Sequence, residues 1–110
     1  MKIAINVQED AFDTRVEQER LTEGRSDIGA IVSFTGWVRD FNERPDVTAL
    51  TLEHFPGMTE KALHEIGIEA GQRWPLQGVT IIHRVGRLAP GDAIVLVMTA
   101  SAHRRAAFEA

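Results

Sequence analysis

Hydrophobic and polar residues follow two different periods along this chain, and the switches between them predict its elements. Ile3, Ile5 and Val7 alternate with polar neighbours, which predicts a short strand over Lys2 to Val7. Asp13 is a suitable cap for a mostly polar helix running to about Thr22, with Gly24 as its stop. The run from Ile28 to Arg39 is rich in β-branched and aromatic residues and predicts a second strand. Gly29 and Gly36 inside it point to bulges or to close backbone approach. Asp40 to Asp46, with Asn42 and Pro45, is expected to be a polar loop. Val47 to Phe55 alternates again, with Leu50, Leu52 and His54 on one face and Thr51 and Glu53 on the other.

Pro56-Gly57 breaks that strand, and Thr59 is then expected to cap a helix. Leu63, Ile66, Gly67, Ala70 and Trp74 form its apolar stripe, and Pro75 ends it. Val79, Ile81, His83 and Val85 predict one face of a further strand, followed by a turn over Gly86 to Asp92. Ala93 to Ala100 is almost continuously apolar, the pattern of a central strand buried on both faces. A last helix begins near His103. The order β-α-β-β-α-β-β-α predicts a single α+β domain over residues 1–110, with no repeats, linkers or low-complexity segments.

Composition narrows the function classes. At 110 residues, 44% hydrophobic and 25% charged, the chain has the make-up of a globular domain. Its net charge of −4 provides no electrostatic footprint for non-specific nucleic-acid binding. No apolar run approaches the roughly 20 residues that span a bilayer, and the N-terminus lacks a secretory signal, so no membrane role and a cytoplasmic location are expected. There is no cysteine, which removes disulfides, thiolate catalysis and zinc–thiolate or iron–sulfur ligation together. If the protein handles sulfur, the sulfur arrives on something else. No ligand spacing points to a metal, and no glycine-rich phosphate loop is present.

The chemistry-bearing residues lie at strand ends. Arg39 follows a mostly apolar strand and opens a polar loop; it is either a solvated strand-end arginine or a fork-shaped clamp for carboxylate or phosphate. His103 and Arg104 stand at the positive end of a helix, where cations are unfavourable unless an anion offsets them. The alternative is that they only cap the helix. His54 and His83 suit core or interface positions better than metal ligation, and Glu53-His54 has no nucleophile to serve. Phe34 and Trp37 suit a core, whereas Phe41 in a polar loop hints at an interface. The final helix stops at Ala106-Ala107-Phe108-Glu109-Ala110 without a terminating signal, so the natural chain is expected to continue.

Five segments carry a family resemblance: Val32-Ser-Phe-Thr-Gly-Trp-Val-Arg39, Leu50-Thr-Leu-Glu-His-Phe-Pro-Gly-Met-Thr-Glu-Lys-Ala-Leu63, Ile82-His-Arg-Val-Gly86, Pro90-Gly-Asp92 and Ser101-Ala-His-Arg104. From about Ile28 to Ala110 they resemble the catalytic (large) subunit of molybdopterin synthase, in order and spacing; the first 25 residues match loosely. The resemblance implies a hammerhead-like α+β fold with a mixed or antiparallel sheet and helices. It implies sulfur insertion into cyclic pyranopterin monophosphate, without a cofactor or metal of the protein's own. The implied donor is a small ubiquitin-like sulfur-carrier subunit with a C-terminal Gly-Gly thiocarboxylate, and the implied assembly is a homodimer within a heterotetramer.

Carried over by motif, the substrate-contacting strand end falls on Trp37, Val38 and Arg39, with Phe34 near the pocket, and the anion-binding pair on His103 and Arg104. Arg39, His103 and Arg104 are the implied catalytic residues. Gly36 is expected to help form a narrow channel for the carrier's tail. The family's two catalytic lysines fall beyond the helix that starts at His103; Lys2 and Lys61, the only lysines here, match neither. The rival expectations are a shortened paralogue that docks the carrier or dimerises without catalysis, and a phosphate-binding regulatory domain.

Overall fold

A computed structural model of the protein describes residues 1–40, 50–53 and 55–110. In chain order the elements are β1 (Lys2–Gln8), α1 (Thr14–Thr22), β2 (Ala30–Trp37), β3 (Leu50–Leu52), α2 (Met58–Arg73), β4 (Leu76–Arg84), β5 (Gly86–Leu88), β6 (Ala93–Ser101) and α3 (Arg104–Glu109). Four strands form one sheet in the order β1-β4-β6-β2, and β3 pairs with β5 in a separate ribbon. β1 runs parallel to β4, while β4–β6 and β6–β2 are antiparallel, so the sheet is mixed.

The central position of β6 follows from its unbroken apolar run, which needs cover on both faces. Leu96, Met98 and Ala100 of β6 pack with Ile82 of β4 and Leu21 of α1, and Phe12, Ile28 and Ile31 close around them. On the opposite face Thr99 donates its hydroxyl to the Ala107 carbonyl at 2.6 Å, which ties down α3. Ile3 of β1, the register partner of Val79, meets α2 at Gly67 on that same second face. α1 therefore covers one side of the sheet, and α2 and α3 cover the other. Both flanks of β6 are paired, whereas β1 and β2 are the edges.

Asp13 caps α1 as expected, its Oδ1 accepting from the Arg15 amide at 2.9 Å and the Val16 amide at 3.4 Å. The start of α2 differs from expectation. The cap is Gly57, at φ +82, and the helix opens at Met58. Thr59 instead turns its hydroxyl to the Phe55 amide at 3.3 Å, while the Glu60 carboxylate accepts from the Gly57 amide.

Two further expectations need correction. The stretch from Gly86 is not all turn, because Gly86–Leu88 forms β5 by pairing with the distant Leu50–Leu52. β4 opens before Val79, at Leu76, and Gly78 to Ile82 is buried throughout, because strands flank it and helices cover both faces. The expectations for Phe41, for His54, for the polar loop beyond Asp40 and for the opening of the strand at Val47 lie outside the described residues.

Candidate functional site

β2 and β6 make an antiparallel ribbon in which Ala30 faces Ser101 and Trp37 faces Ala93, with an irregularity between Gly36 and Trp37. That register puts Arg39 beyond one end of the ribbon and His103 beyond the other. With about 3.3 Å per residue along a strand, the two lie roughly 25–30 Å apart within one protomer. The chain therefore gathers Phe34, Trp37 and Arg39 along one strand and His103 and Arg104 at the far corner, and does not bring the two cationic sets together.

At the first end, Phe34 and Trp37 are 60% and 62% exposed, unusual for aromatic side chains on a sheet. Val38 is only 4% exposed. Its amide donates to the Asp92 carbonyl and its own carbonyl accepts from the Gly91 amide, each at 2.8 Å. Val38 thus offers a ligand neither its side chain nor a free backbone group. Arg39, next along, is exposed and makes no hydrogen bond or ion pair with the described residues. The space a Cβ would take at Gly36 is held by the Val95 side chain, 2.8 Å from that position, so the glycine accommodates close packing between β2 and β6.

At the second end, His103 is the N-cap of α3 but its side chain makes no capping bond. The first turn of α3 carries no acidic residue. Arg105 is taken up by Glu109 at 3.0 Å, four residues on. His103 and Arg104 are exposed, with no side-chain partner among the described residues. Among the described residues no acidic side chain offsets Arg104 at the positive end of the helix dipole.

Of the groups that hold this corner, the sequence pattern pointed to Gly29, through close backbone approach, and gave Ser101 no structural part. Ser101, 1% exposed, donates its hydroxyl to the Pro75 carbonyl at 2.8 Å and accepts from the His103 amide at 3.4 Å. Gly29 gives its amide to the Ser101 carbonyl at 2.9 Å and lies so close to Ala102 that a Cβ would sit 2.0 Å from the Ala102 oxygen. The available signals were a polar residue closing an apolar run and a glycine inside a strand.

An open groove of about 390 Å³ runs beside α1 between Gln18, Thr22, Arg25 and Ile31. Gly29 and Ala30 also line it, so it borders the His103 end of the ribbon, but its arginine is committed to Asp27 and to the Gln77 carbonyl. Among the described residues no group of three or more histidine, aspartate or glutamate side chains is arranged to hold a metal ion. None of their helices is long and apolar enough to cross a membrane.

The family model described as MoaE protein matches residues 7–110, and the chain belongs to that family. It is 63% identical to the molybdopterin synthase catalytic subunit of Escherichia coli (strain K12) over 109 residues, 99% of this chain and 71% of that protein. Among solved structures it resembles molybdopterin cofactor biosynthesis protein E from Burkholderia multivorans, with a TM-score of 0.89 and 50% identity, over 99% of this chain and 70% of that one. A complex of subunits 1 and 2 of molybdopterin-converting factor from Helicobacter pylori shares the fold, with a TM-score of 0.73 at 20% identity over 97% of this chain and 70% of that one.

Proposed function

We propose that this chain acts as the large subunit of a molybdopterin synthase, taking sulfur from a thiocarboxylated small carrier subunit and inserting it into cyclic pyranopterin monophosphate. The observation that carries the proposal is the set of three exposed basic side chains, Arg39, His103 and Arg104, none of them paired with a described residue. They occupy the motif positions at which the family resemblance expects phosphate contacts. A fork of guanidinium donors suits a cyclic phosphate, and His103 beside Arg104 sets a ring N–H donor next to a second guanidinium. The absence of cysteine in 110 residues agrees with a sulfur atom delivered on the partner. Phe34 and Trp37 give the pterin or the carrier's tail an apolar surface to lie on.

One protomer does not offer a single phosphate both Arg39 and His103, given their separation along the ribbon. Two copies do. β2 is an edge strand, and a two-fold axis beside its midpoint sets the Arg39 end of one copy against the Ala30 and His103 end of its partner. The homodimer is thus part of the proposal: each site takes Arg39 from one copy and His103 and Arg104 from the other. Proton transfer is not assigned to Lys2, whose ammonium is bonded to the Arg20 carbonyl, or to Lys61 on α2.

Arg39→Ala tests the assignment. Loss of a charged bond to phosphate should lower kcat/KM by a factor equivalent to about 2–4 kcal/mol with the fold intact. Near-normal turnover in that variant rules out the role of Arg39. A wild-type protein that binds the thiocarboxylated carrier and the pterin yet makes no molybdopterin is instead a non-catalytic docking module.

A further inference from the structure

Arg39 has no bond to the described residues that would fix it, yet the residue before it is held at both backbone groups by the turn that leads into β6. That turn is Ala89-Pro90-Gly91-Asp92. The Asp92 amide donates to the Ala89 carbonyl at 2.9 Å, and Gly91 has φ +92, with proline before it, as in a type II turn. The Asp92 carboxylate then reaches back and accepts from the Ala89 amide at 2.8 Å. The turn is closed twice by one residue, once through its backbone and once through its side chain.

The consequence falls on Val38. The closed turn presents the Gly91 amide and the Asp92 carbonyl side by side, and these two groups grip Val38 at 2.8 Å each. The Val38 side chain is buried, which fixes the residue against rotation as well. The grip begins just past the irregularity at Gly36 and Trp37, where the regular β2–β6 ladder falters. It is the last described attachment of β2 before Arg39.

We propose that Asp92 is a positioning residue for Arg39: by closing the Pro90-Gly91 turn it fixes Val38, and through Val38 it aims the guanidinium at the substrate phosphate. This inference rests on the phosphate-binding role of Arg39 given above. Asp92 itself touches no substrate. Misplacing the clamp weakens the hold on the phosphate, so Asp92 variants should bind substrate more weakly and raise KM.

The test is a double-mutant cycle on the full protein with its carrier, reading the affinity for cyclic pyranopterin monophosphate by calorimetry, and KM and kcat by turnover. Asp92→Ala should weaken binding about tenfold, and up to about 100-fold if the guanidinium shifts by an ångström. Asp92→Asn keeps an oxygen for the Ala89 amide and should bind nearly as the wild type does. In an Arg39→Ala background, Asp92→Ala should cause no further loss. An additional loss there, or a fall in kcat with KM unchanged, overturns the inference in favour of a general structural role. If Asp92→Ala does not fold, Asp92→Glu, which displaces the acceptor by one methylene, replaces it and should weaken binding where Asp92→Asn does not. Wild-type affinity in Arg39→Ala removes the reading of the site itself. Weak binding by Arg39→Ala together with normal binding by Asp92→Ala removes only the positioning role.

Discussion

Gly29 lets the strand that begins at Ala30 run against the segment that ends at His103, and no other residue type fits there. A methyl group on Gly29 would stand 2.0 Å from a backbone oxygen, which cannot rotate away as a side-chain tip does. Gly29→Ala must therefore push Ala102 outward and break the bond from the Gly29 amide to the Ser101 carbonyl. A cost of about 1–3 kcal/mol is expected, as for overpacking elsewhere, together with weaker pterin binding because His103 moves with Ala102. Denaturant titration and ligand titration of one sample check both parts, and unchanged values for each contradict the account. Arg25 and Asp27 show a different residue-scale effect. The hydrogen bonds from Arg25 hold the Asp27 carboxyl below its ordinary 3.8. A carboxyl depressed in the folded state stabilises the fold above its unfolded value, and that contribution disappears as pH falls through the lower folded value. Acid titration of Asp27→Asn should accordingly give a shallower loss of stability below the ordinary carboxyl range than the wild type shows.

Among the elements, α3 is the one that depends most on its neighbours. Six residues form no stable helix alone, so its hold comes from packing by Ala106 and Ala107 and from the buried Thr99 hydroxyl. Thr99→Val keeps the shape, removes that bond and leaves the Ala107 carbonyl unsatisfied, at a cost of about 1–3 kcal/mol. Hydrogen exchange should show the α3 amides losing protection while those of β4 and β6 keep theirs; equal loss across all three goes against a local tether. The elements that a local pattern specifies were legible in the sequence. Asp13 marked the start of α1, Pro75 the end of α2, and the unbroken apolar run of β6 its central place. β5 was not legible, because Gly86-Arg87-Leu88 is a strand only by virtue of a partner more than thirty residues away. The candidate site divides in the same way. Arg39 and His103 each announced themselves as charges at strand ends, but their separation depends on the antiparallel register, which no local pattern encodes.

For the whole molecule, the shared site makes a quantitative claim about mixtures. Homodimers of Arg39→Ala and of His103→Ala should each be far less active than the wild type at substrate concentrations below its KM. In randomly mixed dimers, half pair one variant with the other, and each of those carries one intact site and one doubly damaged site. Mixing equal amounts should therefore restore about a quarter of wild-type activity, since an isologous interface exchanges equivalent patches. A mixture no more active than its parents excludes sites built from both copies.

The parallel pairing of β1 with β4 has a consequence for how the chain is made. Lys2 finds Gly78 and Gln8 finds Arg84, so β1, once synthesised, waits for more than seventy further residues before it has a partner. The β4–β6 and β6–β2 ladders are assembled from later residues and can close without it. Contacts this distant in sequence are slow to form, and during synthesis β1 is an alternating apolar segment with nowhere to dock. Pulse-labelled refolding should find the amides of Ile3 to Val7 protected last. A nascent chain stalled before Arg84 has emerged should be a ready client for a chaperone that binds short apolar strands.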